Sequence, residues 1–508
     1  MTEVTIVATV VSTPECDGDA LSSLPSSVKW LEVRADLTGD PDPHSLRSRF
    51  SGKLMYTLRS RAESGGFDGS EQARRRRLLA AAKGYDLIDL EGERDLVPEL
   101  LSAIPPNQRM ISWGGPALDC TALSQRVVEF SAVQARFYRL VQRASRAGDE
   151  LAGLLMLKRA KRSDVIAYTT GKTSFWSRLV APHFGCPMVF GVISKHPAVA
   201  EEPTVSQLIE DYNLPTLAPV RDIYGIVGDP INHSLSPRLH NAAYRALGHQ
   251  ALFVPFHAES FAEFWRDVVA AGALESLGIS IRGFTVASPH KEAALDVAAA
   301  RSPMVKRAGS TNIFVRKNGG WKADTTDPEG VVLAIKQRGI ELERRKVAVI
   351  GCGGSGRAIA AALDEAGAEV TLVNRGLERG RQALELLSLP FVPLSEFSPK
   401  GYSMIVNATP VGRDGGELPF KLADLGKDGV IVDLVYGANT TSLIDGAIAC
   451  GSVAIDGLEV LFVQVRRQFH LMTGCEMPTD LASNILHART GLRLPRNSAA
   501  VGTIGGTV

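Results

Sequence analysis

The sequence predicts an α/β protein: an N-terminal (β/α)8 barrel of the TIM type, a second α/β region, and a third with a dinucleotide-binding pattern. Three observations predict it. Strand-like and helix-like runs alternate eight times over roughly the first 215 residues. LPTLAPVRD (214–222), with two prolines and no apolar period, breaks that rhythm before IYGIVG restarts it. A GCGGSG turn near residue 351 lies between a buried-strand pattern and a helical one.

The barrel strands are expected at VTIVATV (4–10), KWLEVRAD (29–36), KLMYTLR (53–59), YDLIDLEG (85–92), RMISWGG (109–115), RFYRLV (136–141), DVIAYTT (164–170) and MVFGVIS (188–194). EQARRRRLLAAAK, TALSQRVVEFSAV and DELAGLLMLKRAK read as intervening helices. In such a barrel, chemistry gathers at the C-terminal ends of the strands. The sixth strand carries a permanent charge: Arg139 shares its parity with Phe137 and Val141. The run Arg74–Arg77 points all round its helix and reads as a solvated face.

Composition narrows the function classes. Hydrophobic residues make up 45% and charged residues 22%, the balance of a soluble globular chain. A net charge of +1 offers no global field for nucleic acid or an anionic membrane, so neither is an expected partner. The six cysteines are scattered without a CxxC pair, which predicts a reduced, cytoplasmic protein with no metal site. VTIVATVV is too short to span a bilayer and reads as a first strand.

RKVAVIGCGGSGRAIAAALDEAGAEVTLVNR (345–375) places strand, glycines, helix and second strand in the order of a Rossmann unit. Gly351, Gly353 and Gly354 allow a tight turn and close approach to a pyrophosphate, with Ser355 opening the helix. The second strand ends at Asn374-Arg375, where an NAD site carries an acid for the ribose hydroxyls. An acid repels a 2′-phosphate and an arginine pairs with it, so Arg375, with Arg379 nearby, predicts NADP(H) over NAD.

Upstream stand GDPINHSLSPRLHNAAYRALG (228–248), GFTVASPHKE (283–292), STNI (310–313) and DTTDPEG (324–330). Singly, SLSP is a helix cap and Lys291 with Asp327 a surface pair. Together with NATPVG (407–412), DLVY (433–436) and the run from Gly457 to Gln464, they resemble shikimate dehydrogenase over about residues 222 to 490. The resemblance implies that Lys291 and Asp327 are the catalytic pair, moving a proton on the substrate 3-oxygen as hydride passes at C3. It implies substrate contacts from Ser234, Ser236, Asn312, Tyr436 and Gln464, and cofactor contacts from Asn407, Thr409, Gly412 and Gly457. The family's threonine four residues before the lysine is Ala287 here, which leaves quinate as a rival substrate to shikimate. Thr325 and Val460 also depart from the family pattern.

The barrel resembles type I 3-dehydroquinate dehydratase, which plant-type proteins join ahead of a shikimate dehydrogenase. The matching motifs are EVRAD (32–36), Arg59, GGFDG (65–69), IDLEGE (88–93), WSR (176–178) and EPTVSQLIEDYNLP (202–215). Glu32, Arg34, Arg59 and Arg178 match ligand-binding positions, and Arg139 faces the same mouth. The family's imine-forming lysine aligns with Arg139, its histidine with Gly114 or a neighbour, and a glutamine with Glu202. Arginine stays protonated and has no free amine to attack a ketone. Glycine has no side chain to carry a proton.

The domain reading is a barrel over 1–217 and a shikimate-binding part over 222–326, completed by helices over 470–492. An NADP-binding part over 327–469 and a disordered tail over 493–508 complete it. The function expected is an NADP-dependent shikimate dehydrogenase fused to a dehydratase-like barrel deficient in imine chemistry. Its ligands are shikimate, 3-dehydroshikimate and NADP(H), with 3-dehydroquinate or quinate in the competing readings. Those readings are a fully bifunctional enzyme, a quinate dehydrogenase, and a non-catalytic ligand sensor.

Overall fold

A computed structural model describes residues 2–12, 18–199, 201–413, 415, 418–422, 429–437 and 439–490. The tail expected over 493–508 lies outside the described residues. The chain divides into two compact units, Met1–Arg282 and Gly283–Val508. No helix among the described residues is long and apolar enough to cross a membrane.

All eight expected barrel strands form. They are β1 (Thr5–Val10), β2 (Val28–Arg34), β3 (Lys53–Thr57), β4 (Leu87–Glu91), β5 (Arg109–Pro116), β6 (Phe137–Arg143), β7 (Val165–Thr170) and β8 (Met188–Val192). They pair in parallel, in chain order from β1 to β7, with β8 against β1. Strands covered on both faces become near-continuous apolar runs, and Ile6, Val7 and Ala8 are fully buried. The ring is not fully laddered, because no hydrogen-bonded pairing joins β7 to β8 among the described residues. Side chains span that seam. The rings of Tyr168 and Phe190 lie 5.8 Å apart, and Arg178 donates to the Phe190 carbonyl at 2.8 Å. The Arg178 guanidinium also stacks 4.4 Å over the Tyr168 ring.

The arginine run corrects the expectation of a solvated face. The helix α1 (Glu71–Ala81) buries Arg74 completely, at 0% exposure. Its guanidinium engages both oxygens of Asp95, at 2.7 and 2.6 Å, and the Leu58 carbonyl, so a buried charge is held by matched acceptors. Arg77 reaches Asp40 at 2.7 Å.

The proline-containing linker is partly clipped down. Thr216–Leu217 pairs antiparallel with Thr2–Glu3. Beyond it, β9 (Asp222–Gly228) and β10 (Ala251–His257) pair in parallel. The first unit extends past the linker because the barrel packs against this segment. The rings of Trp176 and Phe256 lie 5.5 Å apart, tilted at 56°, and Arg238 reaches Asp211 at 2.6 Å. Lys172 bridges Asp229 at 2.8 Å and Glu259 at 3.0 Å.

In the second unit, β11 (Ser280–Val286) pairs through Gly283–Thr285 with β12 (Ile313–Lys317), which forms a hairpin with β13 (Gly320–Asp324). Ile313 faces Asp324 across the hairpin, so the residues just outside it, Asn312 and Thr325–Asp327, come together. Next, β14 (Lys346–Ile350), β15 (Glu369–Asn374), β16 (Phe391–Pro393), β17 (Met404–Asn407), β18 (Val430–Asp433) and β19 (Val453–Ile455) make a parallel sheet. Its order is β16-β15-β14-β17-β18-β19. The order reverses between β14 and β17, which places a crevice at their C-terminal ends. Helical apolar residues cover both faces: Val347 and Val349 pack with Ile335 and Ile359, while Ala348 and Ile350 pack with Leu443 and Ala447.

Candidate active site and the barrel interior

The C-terminal end of β14 leads into a glycine turn and the helix α2 (Gly354–Glu365). Gly351 adopts φ +105°, a backbone that favours glycine, and its N–H donates to the Val373 carbonyl at 2.7 Å. A side chain at Gly353 would meet nothing within 4 Å, so the turn opens onto free space. Gly354, in the same turn, also packs against the lysine. A Cβ there would lie 2.9 Å from Lys291 Cβ and 3.0 Å from Ser310 Cβ. The missing side chain lets the helix start against the lysine.

Lys291 is the centre of the resulting cluster. Its Nζ donates to Asp327 Oδ2 at 2.6 Å and to Ser355 Oγ at 2.7 Å. Asp327 opens the helix α3 (Asp327–Gln337) and is 4% exposed. Its other oxygen accepts from Asn312 Nδ2 at 2.8 Å and Gln464 Nε2 at 3.1 Å. Gln464 projects from the helix α4 (Gly457–Thr473). Five expected residues, Lys291, Asp327, Asn312, Gln464 and Ser355, are thereby in one hydrogen-bonded group. Ser355 was expected at the cofactor; its hydroxyl here also accepts from the lysine.

Two members of the cluster were not anticipated. Thr326 is fully buried and accepts from Asn312 Nδ2 at 3.0 Å and from Gln468 Nε2 at 3.1 Å. Gln468 follows Gln464 by four residues, the spacing of one helix face, and that was the available signal. Ser310 ties the cluster to the glycine turn by donating to the Gly354 carbonyl at 2.8 Å.

Asn374 fastens the glycine turn, since its Oδ1 accepts from Cys352 N at 3.0 Å. Arg375 is exposed and forms no ion pair among the described residues. Arg379 pairs with Glu292 and donates to the Cys352 carbonyl at 3.3 Å. Asn407 and Thr409 form a closed turn: Thr409 Oγ1 donates to Asn407 Oδ1 at 2.6 Å. Asn407 Nδ2 donates to Asp433 at 2.9 Å. Burial pushes the Asp433 carboxyl up, against the hydrogen bonds from Thr441, Val435 and Asn407. Gly412 adopts φ +96° in the segment that follows. Tyr436 and Gly457 line one cavity of about 200 Å³ with Thr441 and Asp456. Ser234 and Ser236 belong to the first unit, where Ser236 is the buried first residue of its helix and its N–H reaches Ser234 Oγ at 3.3 Å. Ala287 is half-buried and accepts from His290 N at 3.0 Å. The open glycine turn, the crevice and the free Arg375 fit a dinucleotide with a 2′-phosphate.

Inside the barrel a second charged network closes on itself. Arg139 is 4% exposed and does face inward. Its Nη1 donates to Glu32 Oε1 at 2.7 Å, its Nη2 pairs with Asp89, and its guanidinium sits 5.0 Å from the Phe190 ring. Glu32 also accepts from Thr9 and Thr57, each at 2.8 Å. Burial drives the Glu32 carboxyl up, but Arg139 and then Arg34 outweigh it and hold it below its usual range. The same balance, with Arg139 and Arg59, lowers Asp89.

The other barrel residues singled out are paired too. Arg59 donates to Glu63 and to Asp89, both at 2.5 Å, and to Ser112 at 2.9 Å. Arg34 grips Asp36 with two bonds, at 2.9 and 2.8 Å, and Arg178 pairs with Glu202. Lys172 is committed to Asp229 and Glu259, and Lys195 donates to the Glu202 carbonyl at 2.7 Å. A Cβ on Gly114 would lie 3.2 Å from Glu63 Oε2. Burial, helped by Glu91 and Asp89 and opposed by Arg59, pushes the Glu63 carboxyl up to about 7.

A parallel sheet with a glycine turn at its order reversal, beside a lysine–carboxylate pair, defines a nicotinamide-dinucleotide oxidoreductase behind an α/β barrel. The comparisons make this specific. The family model described as type I 3-dehydroquinase matches residues 5–218, and the shikimate dehydrogenase substrate binding domain model matches residues 226–314. The chain is 26% identical over 488 residues to the chloroplastic bifunctional 3-dehydroquinate dehydratase/shikimate dehydrogenase of Arabidopsis thaliana, covering 90% of this chain and 79% of the relative. It is 37% identical over 258 residues to the NADP(+) shikimate dehydrogenase of Thermococcus kodakarensis, covering 50% of this chain and 91% of the relative. It is also similar to the crystal structure of shikimate 5-dehydrogenase from Thermus thermophilus in complex with NADP(H) and shikimate. That match is 31% identical with a TM-score of 0.47, and covers 53% of this chain and 99% of the other. The chain belongs to the shikimate dehydrogenase family, joined behind a type I 3-dehydroquinase domain.

Proposed function

We propose that the protein is an NADP-dependent shikimate dehydrogenase, interconverting 3-dehydroshikimate and shikimate, with Lys291 and Asp327 as its catalytic pair. The observation that carries this reading is the 2.6 Å Lys291–Asp327 contact, ringed by Asn312, Gln464 and Ser355. NADPH, when bound, supplies the hydride that reduces the ring carbonyl at C3. The Lys291 ammonium donates the proton that the 3-oxygen gains, and in the reverse direction the neutral Lys291 amine takes that proton back. Asp327 fixes the ammonium and keeps it oriented. Asn312 and Gln464 anchor the carboxylate from the other side; Asn312 is itself held by Thr326, while Gln464 keeps a further N–H for ring hydroxyls. Ser234 and Ser236 are assigned to the substrate carboxylate, and Tyr436 to substrate contact. Arg375 and Arg379 are assigned to the 2′-phosphate, and Asn374, Asn407, Thr409 and Gly457 to the rest of the cofactor.

Steady-state assays of the full chain test this reading: turnover of shikimate with NADP is expected to exceed that with NAD. No turnover with either shikimate or quinate would favour a ligand sensor. Ala287 makes quinate the second substrate to assay, and faster turnover of quinate would reassign the substrate while keeping the reaction class.

The barrel, over 1–217, is proposed to be silent in imine-based dehydration. Arg139 has no free amine, and its two terminal nitrogens are engaged by Glu32 and Asp89. An acid arriving at the mouth must also displace the carboxylates that hold Arg34, Arg59 and Arg178. Borohydride trapping with 3-dehydroquinate followed by mass spectrometry is expected to leave the barrel unmodified; a covalent adduct there would sink the proposal. The substrate-binding part is assigned to 222–326 with 470–492, and the cofactor-binding part to 327–469.

A further inference from the structure

The residue after the catalytic lysine has no assigned task, and its surroundings give it one. Glu292 is half-exposed, with a side chain 42% accessible, and it contacts two arginines of different character. Arg357 is fixed. It is 6% exposed, its Nε donates to the Ala308 carbonyl at 2.9 Å, and its Nη2 donates to the Gly309 carbonyl at 3.0 Å. That nitrogen also lies 3.3 Å from Glu292 Oε1. Arg379 is held more lightly, with one longer backbone bond, from its Nε to the Cys352 carbonyl at 3.3 Å. Its side chain is 52% exposed, it hangs from the helix over Leu377–Leu387, and Glu292 is its one carboxylate partner among the described residues.

We propose that Glu292 sets cofactor selectivity by holding Arg379 in competition with the 2′-phosphate of NADP(H). The proposal rests on the NADP reading above. An exposed ion pair is worth roughly 0–1 kcal/mol, so a dianionic phosphate can draw the guanidinium away. Glu292 is not stranded when that happens, because Arg357 remains in place. The carboxylate that loses the contest still stands near the phosphate and opposes it by like charge. Glu292 therefore weakens binding of NADP(H) and leaves NAD(H), which has no 2′-phosphate, unaffected. Arg375, free of any ion pair among the described residues, has no such competitor.

The test is titration of the full chain with NADPH and with NADH, followed by cofactor fluorescence. Glu292→Gln is expected to tighten NADPH by roughly two- to five-fold, the scale of an exposed pair, with the NADH Kd unchanged. Arg379→Gln is expected to weaken NADPH, and adding Glu292→Gln in that background is expected to recover less than half of the gain seen alone. Equal tightening of both cofactors, weaker NADPH binding in Glu292→Gln, or a full gain without Arg379 would each overturn the proposal. If the native chain itself binds NADH as tightly as NADPH, the NADP reading fails and this inference with it. A native preference for NADPH with no response to Glu292→Gln overturns the inference alone.

Discussion

Gly330 and Gln464 touch across two helices: a Cβ at Gly330 would stand 2.4 Å from Gln464 Cγ and 3.1 Å from its Nε2. The glycine is the reason the amide can reach Asp327. Gly330→Ala is therefore expected to displace Gln464 from the cluster. Losing one such hydrogen bond corresponds to about 0.5–1.5 kcal/mol, so KM for shikimate should rise roughly two- to ten-fold. Steady-state kinetics check this, and Gln464→Ala should reproduce the effect without adding to it in the double variant.

Lys291 carries the proton step in this reading. Lys291→Ala is expected to lower kcat by roughly 10²- to 10⁴-fold, the range for a lost general acid–base group. NADPH binding, measured by fluorescence titration, should change little. Full turnover in this variant would refute the catalytic pair.

Arg139 is a buried cation between two carboxylates. Removing one partner of such a network leaves uncompensated charge, so Arg139→Met is expected to destabilise the barrel by roughly 3–5 kcal/mol. Arg139→Lys keeps the charge and should cost less. Urea denaturation of the three proteins, read by a probe in the barrel, gives the comparison.

Glu63 makes the stability depend on pH. Its folded carboxyl sits at about 7, above its ordinary 4.5, chiefly because it is buried. A carboxyl raised on folding contributes stability that is fully present below the unfolded value and is lost as pH rises through the folded one. Stability is expected to fall between about pH 4.5 and 7 on this account, and Glu63→Gln is expected to flatten that slope. Denaturation midpoints at several pH values across that window decide it.

Much of this was legible in the sequence because the relevant signals are local. Each of the eight barrel strands is a short apolar run, and the Rossmann unit has its glycines, helix and second strand within about thirty residues. Lys291 and Asp327 were legible through motifs, not through any pattern that brings residues 36 positions apart into contact. What stayed hidden was long-range pairing. Arg74 lies in a run that looks solvated, and only the fold supplies Asp95 and the Leu58 carbonyl to bury it. Arg139 was legible as an inward charge, but its partners Glu32 and Asp89 come from strands 107 and 50 residues away. The seam between β7 and β8 has no sequence signature, because strand pairing depends on how the ring closes.

The exchange at 139 separates two things that one residue type ordinarily does together. A lysine there would be both a cation among acids and a nucleophile. Arginine keeps the first property and lacks the second, so the charge balance with Glu32 and Asp89 does not require an amine nucleophile. A barrel altered in this way faces no structural pressure to decay. On the proposal above, it stays folded ahead of the dehydrogenase in the chain, and withdrawing imine chemistry costs very little architecture.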